Sequence, residues 1–211
     1  MNKKWLIAAM VFCTGLVISL PALSAWEFNH GQLPLWLRPD SPDAQSMFDD
    51  QTVRFLAKRN APWVVLNAHI HGPSEKYSFA QIVNRFRQHD PGVRVLGYTW
   101  INVTYTDQHP DRMARVVMQG YENLDPDWIA AYDLTKNEYY GDVANPAFRA
   151  WVYDKIVAAR NQYALDGFVF DYANRDPSRY PILKVRALAD PAWAQAYGKG
   201  MDALFSSLSA V

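Results

Sequence analysis

The chain has 211 residues, 50% of them hydrophobic and 14% aromatic, with 21 basic and 21 acidic side chains. That length suits one domain, and the composition can fill a sizeable core, which excludes a disordered chain. A formal net charge of zero lacks the basic footprint that phosphate backbones require, so no nucleic-acid partner is expected.

Lys3 and Lys4 precede an uncharged, mostly apolar run from Trp5 to Leu20, which Pro21 breaks before the small residues Ala22, Ser24 and Ala25. This is the layout of a secretory signal peptide over residues 1–25, with cleavage after Ser24 or Ala25. The run is short for a full span, so no stable membrane insertion is expected after cleavage, and the location is periplasmic or secreted. The single cysteine, Cys13, lies inside it, which leaves residues 26–211 without thiol, disulfide or Cys-ligated metal.

Leu33 to Arg38 is a short apolar run ending in the loop signal Pro39-Asp40-Ser41-Pro42. A helix is predicted between Asp43 and Arg59, with Phe48, Val53, Leu56 and Ala57 facing inward. Pro62 to Asn67 is a second apolar run. Ser78 and Gln81 are then spaced as a capping box for a helix carrying Phe79, Ile82, Val83 and Phe86. Asp90-Pro91-Gly92 turns the chain into a third strand, Val93 to Trp100. Pro110 opens another helix with Met113, Val116 and Val117 on one face. A polar and aromatic stretch from Leu124 to Ala144 follows, and Asn145-Pro146 supplies a cap and first residue for a helix with Phe148, Trp151, Val152, Ile156 and Tyr163. Phe168-Val169-Phe170 is a fourth strand closed by Asp171. A last helix starts at Asp190-Pro191 and carries Trp193, Tyr197, Leu204, Phe205 and Leu208.

Strand and helix alternating four times predict an α/β fold with a parallel sheet, its strands buried on both faces. A doubly wound sheet and a (β/α)8 TIM barrel compete. No glycine-rich fingerprint follows a strand, which weakens the first. Polar residues gather after strands instead: Arg38 and Asp40, Asn67 and His69, Trp100 and Asn102, Asp171 and Arg175. The barrel is therefore favoured. A full barrel runs to about 250 residues, so about four β/α units make an incomplete one. Residues 26–211 are expected to be the N-terminal part of a longer barrel; a half barrel that self-associates is the alternative.

The sharpest local signal is Asp166-Gly167-Phe168-Val169-Phe170-Asp171-Tyr172. Along a strand Val169 and Asp171 share one face while Phe168 and Phe170 share the other. In a barrel the two rings would meet the outer helices and Asp171 would point into the mouth. A carboxylate there could attack an anomeric carbon, donate a proton or stabilise an oxocarbenium-like transition state on a neutral, hydroxyl-rich substrate. An aspartate that merely caps the loop, or that pairs with Arg175 or Arg179, is the other reading.

Asp142, Asn145-Pro146, Arg149 and Asp166 to Asp171 together resemble the helix-3-to-strand-4 segment of barrel glycoside hydrolases. The α-amylase and α-galactosidase types share this segment, as do uncharacterised glycosyl hydrolase families in which an aspartate closes strand 4. The resemblance covers about 30 residues strictly. It implies a (β/α)8 fold, glycosidic-bond hydrolysis of an oligo- or polysaccharide, and Asp171 as nucleophile or acid/base. The α-amylase type has an arginine two residues before this aspartate, where Val169 stands here. That departure argues against α-amylase activity proper and leaves linkage and stereochemistry open.

A glycosidase needs two carboxylates. In amylase-like barrels the second comes from strand 5, which these four units do not reach; among Asp142, Asp133 and Glu138, which precede the Asn145-Pro146 helix, Asp142 is the choice. Arg38, Asn67, His69, Trp100, Tyr172 and Arg175 are the expected substrate-binding residues, Trp100 as a ring on which a sugar stacks. His69-Ile70-His71 also resembles the His-x-His pair of amidohydrolase barrels. Those proteins place the pair after the first strand, with further ligands downstream, so no metal and no cofactor is expected here. A metal-dependent amidohydrolase-like enzyme and a non-catalytic sugar-binding barrel are the alternatives.

Overall fold

The computed structural model describes residues 16–18, 35–37, 48–58, 63–67, 79–105, 125–136 and 138–209. The expected helix at Pro110 and the caps Ser78 and Pro39–Pro42 lie outside these residues, as does the expected leader apart from Leu16–Ile18.

Four strands run parallel: β2 (Leu35–Leu37), β3 (Trp63–Asn67), β4 (Arg94–Trp100) and β8 (Gly167–Asp171). They pair in chain order, β2 on β3, β3 on β4 and β4 on β8. A doubly wound sheet reverses direction at a switch point, whereas a barrel wall advances one way. This sheet advances one way. β1 (Leu16–Ile18) lines the far side of β8 antiparallel, with Leu16 opposite Phe170.

Helices follow the strands. α1 (Asp50–Ala57) comes after β2, α2 (Phe79–His89) after β3, α3 (Pro146–Tyr163) before β8, and α4 (Pro181–Ala189) and α5 (Pro191–Leu208) after it. Successive helices touch, α1 on α2, α2 on α3 and α3 on α5. The predicted inward residues Phe48, Val53, Ile82, Val83 and Phe86 are fully buried, as are Phe148, Val152 and Tyr197. Each such side chain removed from water stabilises the fold by about 1.5–3 kcal/mol. Asn145 caps α3 as expected, accepting from the Ala147 amide at 2.9 Å, with Pro146 at the first helical position. Helix α1 begins at Asp50, seven residues later than the earliest expected start.

Strand β4 is buried on both faces from Val95 to Trp100. Its glycine is required: a Cβ on Gly97 would stand 2.8 Å from the Phe168 ring. The outward rings behave as the alternation predicts, with Phe168 stacked on Phe170 and Phe170 edge-on to Phe205 of α5. Val169 and Asp171 take the opposite face.

A small second sheet and one helix add to the sequence reading. The stretch from Leu124 to Ala144 holds strands β6 (Ile129–Asp133) and β7 (Glu138–Gly141), which join β5 (Val103–Tyr105) in an antiparallel sheet ordered β5-β7-β6. The residues before Asp190, to which the sequence reading assigned no element, form α4, started by Pro181. The small sheet springs from the carboxyl end of β4: the Gly141 amide donates to Asn102 O at 2.7 Å, and the Ile101 amide donates to Asp171 O at 3.2 Å. It therefore stands beside the strand end that carries Asp171.

Candidate active site

Asp171 closes β8 directly opposite Trp100 of β4. Its Oδ2 accepts from the Tyr98 hydroxyl at 2.5 Å, and its Oδ1 accepts from the Tyr172 amide at 2.7 Å. Tyr98, Trp100 and Asp171 fall on one sheet face because the parallel register pairs Trp100 with Asp171 and the side-chain period is two. Trp100 donates its indole N–H to the Tyr98 oxygen at 3.3 Å.

Tyr172 turns the chain away from the strand with φ 52°, a left-handed backbone that costs a bulky residue about 1–3 kcal/mol. Ring contacts hold it there. Trp100 lies 4.7 Å from it at 49°, and Tyr180 stacks on it at 6.0 Å and 9°. The Tyr180 hydroxyl in turn accepts from the Asn174 amide at 2.8 Å. Strain of this kind concentrates where a side chain must be held in one place. Here it aims the Tyr172 amide at the carboxylate.

The row of rings continues to Tyr140, edge-on to Tyr180 at 6.0 Å. Tyr140 shares a face of β7 with Glu138 and donates its hydroxyl to Glu138 Oε2 at 2.7 Å. Glu138 is only 4% exposed, with Lys136 Nζ at 4.0 Å. Burial pushes the Tyr172 phenol above its ordinary range, and the charges of Glu138 and Asp171 push the same way. Burial likewise raises Tyr140 and Tyr180. These phenols stay protonated at neutral pH, so the packing beside Asp171 adds no phenolate charge.

The structure thus brings Asp171, Tyr172 and Trp100 together. It engages Asp142 elsewhere: the carboxylate is held by the Trp193 indole at 3.0 and 3.2 Å, by the Ala144 amide at 3.0 Å and by Arg186 at 3.5 Å. Arg175 forms an exposed ion pair with Asp202 at 2.6 Å, and Arg179 faces Asp176 at 3.6 Å, so neither pairs with Asp171. Asn67 ends β3 with its backbone opposite Tyr98. Arg38, His69 and His71 and the side chain of Asn67 lie outside the described residues. Among the described residues no group of three or more His, Cys, Asp or Glu side chains is arranged to hold a metal. No helix among them is long and apolar enough to cross a membrane.

Sequence reading missed Tyr98 and Tyr180. Tyr98 stands two residues before Trp100 and so on its face, a spacing that could have found it. Tyr180 had no such signal, since its partner Tyr172 is eight residues away across a turn.

No family model matches the chain, and no curated protein matches it in sequence. Solved structures do match. An alpha-galactosidase from Thermus thermophilus, solved with p-nitrophenyl alpha-D-galactopyranoside, superposes with a TM-score of 0.53 at 13% identity over 92% of this chain. An alpha-galactosidase from Lactobacillus brevis does so at 0.51, again with 13% identity over 92%. The chain spans 38% of the first protein's length and 26% of the second's. In fold, the chain resembles the barrel glycosyl hydrolases that its Asp166–Asp171 segment already resembled in sequence.

Proposed function

We propose that the protein is an exported carbohydrate-active hydrolase that cleaves glycosidic bonds, with Asp171 as its working carboxylate. The observation that carries this reading is the placement of Asp171: at the carboxyl end of a parallel strand, on the face away from the helices, oriented by two donors and flanked by Trp100 and Tyr172. In barrels this end of the sheet carries the chemistry. A fixed anion there lowers the cost of positive charge on a sugar's anomeric carbon, and it can also form a bond to that carbon. The neutral phenol of half-buried Tyr172 beside it suits hydroxyl-rich rings better than charged substrates.

We read the one-way parallel sheet as part of a barrel wall, residues 1–25 as the export leader, whose cleavage takes β1 from the far edge of β8, and the periplasm or medium as the destination. Asp142 is better suited to fastening its loop than to proton transfer, because Trp193, Ala144 and Arg186 engage its carboxylate. Glu138, buried on the Tyr140 hydroxyl beside the same row of rings, is the better placed second carboxylate.

The test is a screen of the purified chain against p-nitrophenyl glycosides and oligosaccharides, run beside Asp171→Asn. The expected result is hydrolysis by the wild type and a loss of about a thousandfold or more in the variant. Equal cleavage by both proteins would overturn the assignment of Asp171. Sugar binding by both with turnover by neither would make the chain a non-catalytic sugar-binding barrel.

A further inference from the structure

We infer that Tyr98 is the positioning residue of the Asp171 centre, and that Trp100 acts through it rather than as a ring on which a sugar stacks. This inference rests on the assignment of Asp171 as the working carboxylate.

The argument is one of hydrogen-bond polarity. An indole nitrogen can only donate, and an ionised carboxylate can only accept. Tyr98 Oη lies between them, 3.3 Å from Trp100 Nε1 and 2.5 Å from Asp171 Oδ2. Its oxygen must therefore accept from Trp100, and its single proton must point at Asp171. No rotation of the hydroxyl satisfies both neighbours in any other way. The relay Trp100 Nε1–H to Tyr98 Oη–H to Asp171 Oδ2 has one direction, whereas an isolated tyrosine hydroxyl would have several.

The other carboxylate oxygen is fixed independently. The Tyr172 amide reaches Oδ1 at 2.7 Å from a backbone held left-handed. One donor on each oxygen sets the carboxylate plane as well as its position. Trp100 contributes at both ends, since its nitrogen directs Tyr98 while its ring packs on Tyr172 at 4.7 Å. Trp100 is 7% exposed and Tyr98 8%, too little surface for a sugar face to cover. Tyr98 keeps its hydroxyl on Asp171 and does not itself touch a substrate. It holds the group that does.

The experiment uses the full chain and three variants: Tyr98→Phe, Trp100→Phe and the two combined. On a cleaved glycoside, Tyr98→Phe is expected to lower kcat about ten- to a hundredfold with KM changed less than about threefold, the loss typical of a hydrogen bond to a charged group. Trp100→Phe is expected to lower kcat less. The double variant should lose less than the product of the two single losses, because Trp100 then has no hydroxyl to direct and keeps only its ring contact with Tyr172. A sugar-stacking Trp100 would instead raise KM, and its effect would multiply with that of Tyr98→Phe. A second readout needs no turnover. The side-chain carboxyl carbon resonance of Asp171, assigned by its absence in Asp171→Asn, should move in Tyr98→Phe and by a smaller amount in Trp100→Phe. An unmoved resonance overturns the inference. Should Tyr98→Phe fail to fold, Trp100→Phe carries the same resonance test. A moved resonance in a protein whose Asp171→Asn form cleaves as well as wild type would refute the catalytic assignment and leave the positioning intact.

Discussion

The indole N–H of Trp193 lies 3.0 Å from one oxygen of Asp142 and 3.2 Å from the other. Arg186 lies over the same indole ring, 4.0 Å from its centre, with a nitrogen 3.5 Å from Asp142. Through these contacts the loop before α3 is fastened to α4 and α5. Asp142 is 7% exposed and also holds the Ala144 amide at 3.0 Å.

Asp142→Ala is therefore expected to destabilise the protein by about 2–3 kcal/mol, since it strands a buried indole donor and a backbone amide. Arg186 is partly exposed, so its ion pair adds little to that figure. Urea unfolding of the variant reads the loss. A variant as stable as wild type would mean that the three contacts hold nothing together.

Gly200 offers a sharper geometric test. A Cβ there would stand 1.9 Å from the carbonyl oxygen of Val143. Backbone cannot rotate out of the way as a side chain can, so α5 would have to move off the loop. In an exposed helix Gly→Ala gains about 1 kcal/mol. Here Gly200→Ala is expected to cost about 3 kcal/mol, a reversal of sign that thermal melting would detect.

At the opposite end of β8, Asp166 accepts from Arg87 at 2.9 Å, Arg94 at 3.2 Å and the Val95 amide at 2.8 Å, and returns its own amide to Val95 O at 2.9 Å. On the proposed barrel reading, this amino-terminal end of the sheet serves stability rather than the proposed hydrolysis. Asp166→Asn is expected to cost about 2 kcal/mol and to leave kcat unchanged once the variant is folded. A kcat loss at full stability would contradict this division between the two ends.

Much of the fold was legible because the signals were local. The alternation from Phe168 to Asp171 predicted which side chains meet α5 and which take the other face, and Asn145-Pro146 predicted a capped start. What escaped was non-local. Strands β6 and β7 are short, and their residues Tyr132, Tyr139 and Tyr140 read equally well as loop or core until pairing gives them a register. Helix α4 lacks a polar cap, since Tyr180 precedes its proline, so the usual start signal was absent. Within the site, Asp171 was legible as a polar residue ending an apolar strand. Tyr98 was legible only as a face-mate of Trp100 two residues on; a tyrosine inside a buried strand reads as ordinary packing, and the register with β8 is what brings its hydroxyl to the carboxylate.

The raised phenols give a pH prediction with a definite sign. Burial pushes Tyr180 above its ordinary value of 10.0, outweighing the hydrogen bonds with the Asn174 amide and the Asn102 side chain, which lower it, while Asp171 and Tyr172 add a smaller push upward. Tyr140, Tyr163 and Tyr172 shift in the same direction, burial again leading. In the unfolded chain these phenols begin to lose protons near pH 10, while in the folded protein they keep them. The unfolded state then binds fewer protons than the folded one, so stability falls as pH rises. The contribution is intact below about pH 10, the unfolded phenol value, and is lost progressively above it. Urea unfolding between pH 8 and pH 11 should show a decline that begins near pH 10. Tyr180→Phe removes one titrating phenol along with its bond from the Asn174 amide. That variant should be less stable than wild type at pH 8, yet its stability should fall less steeply above pH 10. Parallel curves for the two proteins would show that Tyr180 does not hold its proton against the alkaline solvent.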